Sequence, residues 1–469
     1  MKIVGFPLAV VVFLVVWFVP LVGMDELTRH TLALMFFTIV LWITRPWMPA
    51  LTGMLFMVLA WLFGLADREV ALSGFSSSTP WFIWGALMLA LAVRETKLDV
   101  RLAYTLLKRI PASSKGLIAL HYIISWLLSY VIPSSTARVA ILAPVAASQI
   151  ESLGLPRKSN TGKMLMISLV LVNWMAAQTL MTGGSSPLTA WGILQESGIY
   201  VSWVQWWSYQ IVPLFVMMSI LFIGCSFLFR PEPAPMSQGT EGETEDRKDT
   251  AQLADEVLAA LGPFSSAEKK LAAVMLSVLL LWATEVWHGI GTDLIGIMAG
   301  ILVLLPGIGV LKAQEAFQKI GWHTVLFVAA ALSIGNVTQE TGVAQWLESV
   351  LRVLLNVGNS QIMFLMMMLL LGSLARLLLR SGAAAAAVLL IPTIRLAESL
   401  GYNPTLVGVL FPFCMAGTFI YQHAYGLIAY DYGTFEEPDF ILACLVRYVA
   451  LIAAILVGYY IWWPLLGLL

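Results

Sequence analysis

Long apolar runs separated by short polar joints dominate the chain. Runs near the ~20 residues that a helix needs to cross a hydrocarbon core fall at 3–22, 31–43, 48–65, 163–181, 206–229, 271–287, 294–310 and 440–469. None shows the ten-residue alternation of a membrane barrel strand, so helices are predicted. Two further stretches, 118–152 and 362–400, are equally apolar but broken near their middles, by PSST (Pro133–Thr136) and by RSGAA (Arg380–Ala384). Each predicts a hairpin that enters the membrane, turns and leaves on the same side. GGSSP (Gly183–Pro187) and AGTFIYQHAYG (Ala416–Gly426) predict two helices interrupted in mid-span. The expected fold is an all-α integral membrane protein with two re-entrant hairpins, two broken helices and about 11 transmembrane segments.

One segment differs in kind. Residues 231–263 are rich in Pro, Gly, Ser, Thr and Glu, with acidic residues in excess, and read as a solvated linker with a short helix near Leu253–Leu261. On either side the halves repeat. Thr79–Ile110 resembles Gly321–Leu354, the stretch from Ser134 resembles that from Gly382 with Pro144 and Pro392 each ten positions in, and the stretch from Asn173 resembles that from Pro412. Arg94, Lys97, Arg101, Lys108, Arg109 and Lys115 follow the first element, whereas Arg352 alone follows its counterpart; Arg157, Lys158 and Lys163 have no counterpart between Gly401 and Thr405. Positive charge collects on the cytoplasmic side, so the halves are inverted. The domains expected are an N-terminal span (1–24), a first inverted repeat (25–230), a cytoplasmic linker (231–267) and a second repeat (268–469). Inverted repeats with broken helices mark secondary transporters whose site lies near the midplane. Amphipathic stretches at Val100–Leu107 and Trp346–Leu354 read as interfacial arms.

Composition fits this setting: 59% of residues are hydrophobic and 11% charged, with a mean hydropathy of +0.86, against roughly 25% charged in soluble domains. Cys225, Cys414 and Cys444 sit apart in apolar segments and read as packing residues. Lys2 precedes the first run, but no small-residue cleavage site follows at Val22–Asp25, so that run reads as a retained helix with a cytoplasmic N-terminus in the inner membrane. An enzyme is not indicated. HExxH and metal-spaced Cys/His clusters are absent, and His30, His121, His288, His323 and His423 are scattered.

The interruptions carry the chemistry. Unpaired backbone groups cost several kcal/mol each in hydrocarbon, so a break in mid-membrane needs water, an ion or a substrate beside it. Pro133 starts a new helix, Ser134 or Ser135 can cap it, and the exposed N–H groups with the helix dipole favour an anion. Ser381 and Gly382 take the same place in the second half.

These motifs make the chain resemble the divalent-anion/sodium symporter family, whose hairpin tips carry Ser-Asn-Thr signatures followed by small residues and a proline. PSSTARVAILAP matches the first through Ser134, Ser135 and Thr136, and GAAAAAVLLIP stands at the second through Gly382, Ala383 and Ala384. The resemblance implies a homodimer in the lipid bilayer, a scaffold part, a mobile transport part that moves like an elevator, and di- or tricarboxylate or sulfate as substrate. Nucleic acid is not an expected partner, nor is a bound organic cofactor.

The departures matter most. The signature Asn is Ser135 here, and the second signature has lost its oxygen-bearing side chains, leaving Ser134, Ser135 and Gly183 as the remaining candidates for a weak sodium site. Two arginines stand near the tips, Arg138 and Arg380, with Arg376 one turn earlier. An intramembrane arginine costs at least about 2.5 kcal/mol and marks function by default. Arg380, and Arg138 with it, are read as standing in for sodium charge, so that transport becomes sodium-independent anion exchange. The plainer reading is that Arg376 and Arg380 snorkel to an interface or pair with Glu348. The substrate contacts expected are Ser134, Ser135, Thr136, Arg138, Thr182, Gly183, Gly184, Ser185, Ser186, Arg380, Ser381, Gly382, Ala383, Thr418, Gln422 and His423. A cation antiporter would need a carboxylate at these breaks and finds none; an anion channel is the other alternative.

Overall fold

The computed structural model describes residues 2–20, 23–107, 113–132, 134–233, 250–355, 360–379 and 381–469, so Pro133, Arg380 and most of the linker lie outside the described residues. Among the described residues there is no strand. The longer helices of the first half are α1 (Lys2–Phe18), α2 (Glu26–Thr44), α3 (Pro49–Leu62), α4 (Ser78–Thr96), α5 (Leu98–Leu107), α6 (Ser114–Val131), α7 (Ser135–Ser152), α8 (Asn160–Thr179), α9 (Ser185–Glu196) and α10 (Trp203–Phe229). The linker helix α11 (Thr250–Leu261) leads into α12 (Ser266–Ala283), α13 (Thr292–Leu302), α14 (Trp322–Glu340), α15 (Val343–Leu355), α16 (Gln361–Leu378), α17 (Gly382–Ser399), α18 (Pro404–Cys414), α19 (Ala424–Tyr430) and α20 (Glu437–Val457).

Both interrupted stretches fold back on themselves. His121 Nε2 on α6 lies 2.7 Å from Gln149 Oε1 on α7, although 28 residues separate them, a contact that only antiparallel arms allow. In the second hairpin the rings of Phe364, early in α16, and Tyr402, just after α17, lie 5.5 Å apart. All four arms begin on a serine whose hydroxyl accepts a backbone N–H: Ser113, Ser134, Ser360 and Ser381. Each cap contributes on the order of 1 kcal/mol. The caps pair Ser134 with Ser381, one position earlier than the pairing of Ser134 with Gly382 read from the sequence.

The other two breaks are open backbone held by side chains. Between α8 and α9 runs a single tight turn, Met181–Gly183, followed by an extended Gly184. A Cβ on Gly183 would fall 2.1 Å from Ala177 O, so only glycine permits this approach. Between α18 and α19 the freed N–H groups of Thr418 and Phe419 donate to Gln422 Oε1 at 2.7 and 2.8 Å, and that of Ile420 donates to Glu437 Oε1 at 3.1 Å. These three N–H groups keep a partner although the backbone leaves regular structure here.

The helices pack as two groups. One comprises α1–α4 with α12–α14; the other comprises both hairpins and both broken helices with α10 and α20. Along the chain, helices α5 and α15 lie between one group and the other. On α5, Arg101 is buried and its Nε donates to Glu268 Oε1 at the start of α12, 2.5 Å away, while its guanidinium lies 5.0 Å from the Phe264 ring. Five described helices or helix runs are by themselves long and apolar enough to span, six if the bent pair Ala313–Lys319 and α14 counts as one. Two of the five, α16 and α17, are arms of one hairpin, and α1, α3, α13 and α18 are apolar but shorter, so length alone does not reproduce the expected count of about 11 spans. Phe227 and Phe18 are 76% and 72% exposed, which suits a lipid-facing surface.

Candidate functional site

The hairpin tips, the two breaks and the first helix group meet around a half-enclosed cavity of about 630 Å³. From the first hairpin come Ser134, Ser135 and Thr136; from the second, Ser381, Gly382 and Arg376. Gly184–Leu188, Gln422–Tyr425, Trp174 and Gln178 contribute further lining. A Cβ on Gly382 would fall 2.9 Å from Ser186 Oγ, so the second tip rests directly on the start of α9. The other helix group closes the remaining side with Ile83, Ala86 and Leu87 of α4, Arg45 at the end of α2, and His323 and Thr324 at the start of α14. Among apolar side chains, this lining carries hydroxyls, helix starts and guanidinium, donors suited to an anion. Ser186 Oγ, Gln178 Oε1 and Arg376 Nε are buried at its wall without a partner among the described residues.

Each tip has one buried guanidinium, Arg138 outside the lining at the first and Arg376 within it at the second. Arg138 is fully buried and donates through Nη1 to Ile132 O at 2.5 Å, through Nε to Asn173 Oδ1 at 2.7 Å, and through Nη2 to Ser135 Oγ at 3.0 Å and Asn173 O at 3.1 Å. Ile132 is the residue at which α6 ends. Arg376, also buried, donates through Nη1 to Leu379 O at 3.0 Å, where α16 ends, and through Nη2 to Gln422 O at 3.0 Å in the second break. The two arginines occupy different arms, yet each joins the carbonyl end of an incoming arm to a broken helix. A cation placed against the negative end of a helix dipole is stabilised there.

A third buried arginine, Arg447 on α20, donates to Gly417 O at 2.7 Å and lies 5.1 Å from the Trp174 ring. His423 Nε2 approaches the same carbonyl at 3.1 Å, and its Nδ1 lies 2.9 Å from Tyr425 Oη. A carbonyl only accepts, so Nε2 carries the proton and the tyrosine hydroxyl donates to Nδ1. Among the described residues no carboxylate lies within ion-pair distance of Arg138, Arg376 or Arg447. Glu348, the partner suggested for Arg376, instead pairs with Arg352 at 3.1 Å.

Of the expected contacts, Ser134, Ser135, Thr136, Gly184, Ser185, Ser186, Ser381, Gly382, Gln422 and His423 line the cavity. Arg138 and Ala383 are buried and not in the lining. Thr182 accepts a bond from Trp203 Nε1 at 3.3 Å, Gly183 packs on Ala177, and Thr418 Oγ1 lies 3.0 Å from Tyr448 Oη; none of the three is in the lining. Arg380 lies outside the described residues. Sequence reasoning left Arg376, Arg45, His323, Thr324 and Arg447 off the list of contacts. Arg447 carried a readable signal, since an arginine within the last long apolar run is suspect by default.

This architecture, paired re-entrant hairpins facing two broken helices across a donor-lined cavity, defines a membrane transporter fold rather than an enzyme. The chain belongs to the family described as the sodium:sulfate symporter transmembrane region, whose profile matches residues 1–469. It is 28% identical over 342 residues to a protein of Cupriavidus necator named only "Membrane protein", covering 69% of this chain and 64% of that one, less than two thirds of its length. It is 26% identical over 359 residues to the putative malate transporter YflS of Bacillus subtilis, covering 75% of this chain and 72% of that one. Among solved structures, the YdaH transporter of Alcanivorax borkumensis shares the fold with a TM-score of 0.52 at 14% identity, over 86% of this chain and 88% of that one.

The family's name implies sodium, and the tips test the fit. At the tips, Ile132 O, Asn173 O and Oδ1 and Ser135 Oγ at the first and Leu379 O and Gln422 O at the second accept bonds from guanidinium. Among the described residues no His, Cys, Asp and Glu cluster offers an alternative metal site. Of the sodium candidates, Ser134 Oγ accepts the Ala137 N–H at 3.3 Å and Ser135 Oγ accepts from Arg138 Nη2 at 3.0 Å.

Proposed function

We propose that this protein is a secondary transporter that exchanges small multivalent anions, di- or tricarboxylates or sulfate, without sodium. The observation that carries this reading is the pair of guanidinium groups seated on the helix-end carbonyls of both hairpin tips. A resident charge that never leaves does the electrostatic work of a coupling cation, because arginine stays protonated in proteins. It also forbids the empty site from crossing cheaply: without a bound anion, Arg376 would travel through the apolar barrier uncompensated. Exchange of one anion for another follows.

The division into two helix groups with the cavity between them supports an elevator movement, in which hairpins and broken helices slide as a unit past α1–α4 and α12–α14 while α5 and α15 hinge. By the distribution of Lys and Arg, the side bearing Arg45 and the start of α14 is cytoplasmic, so the cavity residues from this helix group lie toward the inner face in this reading. The likeness to a putative malate transporter supports a dicarboxylate. Uptake of radiolabelled succinate, malate, citrate and sulfate into proteoliposomes preloaded with unlabelled anion tests the reading: at least one is expected to accumulate against the internal pool, and uptake of none, or transport of a cation instead, overturns it.

A further inference from the structure

An arginine just past an apolar run, as Arg45 is, ordinarily marks a membrane boundary. The structure gives it another setting. It terminates α2 in the left-handed conformation, φ 49°, with its backbone N–H bonded to Leu41 O, so its Cα is fixed to the end of a long helix. Its side chain lines the same cavity as the two hairpin tips, together with His323 and Thr324 at the start of α14 and Arg376 of the second hairpin. Arg45, His323 and Thr324 belong to the helix group that does not carry the tips. Tip residues accompany the anion wherever the tips go; Arg45 does not.

Resting on the transport reading above, we infer that Arg45 is a side-specific affinity residue, which adds its charge to anion binding only while the cavity opens toward this face. The start of α14, with the His323 ring and the Thr324 hydroxyl, adds donors on the same side. Once the tips move away, the anion keeps Arg376 and the hydroxyls but loses Arg45. The two faces of the membrane therefore hold the same anion with different affinities, with no change in the tip contacts.

The magnitude follows from charge and distance. A dianion ~10 Å from one guanidinium in a wet cavity gains enough for about a fourfold change in affinity, from 332/(εr) with water-like screening. The test is [14C]succinate exchange, with [35S]sulfate as second probe, in right-side-out and inside-out membrane vesicles. Arg45→Gln is expected to raise KM about fourfold from the cytoplasmic face and to leave KM from the opposite face unchanged. The effect should fade as ionic strength rises to about 1 M, and Arg45→Lys should restore the wild-type value. A merely structural role would produce neither the salt dependence nor the lysine rescue, and thermal unfolding in detergent identifies any variant that fails to fold. Equal changes at both faces, or no change at either, overturn the inference while transport stands. A wild-type protein that exchanges neither probe overturns the transport reading itself.

Discussion

Replacing Arg376 by glutamine removes one buried charge at the second tip while keeping a side chain able to donate. On the protein side, two charge-assisted bonds disappear, to Leu379 O and Gln422 O. At roughly 1.5–3 kcal/mol each, with one recovered in weaker form by the amide, the net cost to stability is about 2 kcal/mol. On the anion side, a dianion ~6 Å from the guanidinium at an effective dielectric of ~40 loses 332 × 2/(40 × 6), about 2.8 kcal/mol, or about a hundredfold in affinity. A monoanion loses half of that, about tenfold. The ratio of dianion to monoanion affinity should therefore fall about tenfold in Arg376→Gln, and Arg376→Lys, which keeps the charge but not the fork geometry, should retain the ratio while losing stability. Competition of unlabelled sulfate, succinate and acetate against labelled exchange reads this ratio directly. An unchanged ratio, with the variant folded, would show that Arg376 does not face the anion electrostatically and would refute the reasoning.

Three further outcomes follow from the geometry. Gly183→Ala puts a Cβ 2.1 Å from Ala177 O and is expected to cost about 3 kcal/mol or more, lowering the midpoint of thermal unfolding and abolishing exchange; a folded variant of normal activity would contradict the tight turn. His121→Leu and Gln149→Leu in a double-mutant cycle should show a coupling of about 1 kcal/mol across the first hairpin, and additivity would mean that the arms do not lie together. At the arm, burial works to raise the Glu268 carboxyl, but its bonds from Arg101 and Ser265 outweigh this and leave it below the usual carboxylate value. A carboxyl lowered on folding stabilises above its unfolded value of about 4.3 and loses that contribution as pH falls through its folded value. Wild-type stability should drop below about pH 4 by this route, whereas Glu268→Gln should cost about 3 kcal/mol at neutral pH and lack that acid component, as thermal unfolding between acid and neutral pH would reveal.

The hairpins and broken helices were legible in the sequence because their signals are local: a proline, glycine or hydroxyl cluster inside an apolar run has one inexpensive explanation, an end of helix near water. The serine caps at Ser134 and Ser381 belong to that class, although aligning the halves by their prolines displaced their pairing by one position. What was illegible depended on which arm a side chain reaches back from. Arg138 lies after its tip and Arg376 before its own, so no repeat alignment pairs them, yet both guanidinium groups meet the carbonyl end of the incoming arm. Arg45 and His323 reach the cavity only because two distant helix ends meet it, and neither end carries a motif. Thr182 and Thr418 look like site residues in their Gly-rich neighbourhoods, but Trp203 and Tyr448 occupy their hydroxyls.

The claim that resident guanidinium replaces a coupling cation is tested most directly by measuring anion uptake into proteoliposomes in four conditions: with and without internal unlabelled anion, each in sodium or in choline medium. The account predicts rapid uptake wherever internal anion is present, equal in sodium and choline, and little uptake into empty vesicles. Uptake into empty vesicles driven by an inward sodium gradient would contradict it.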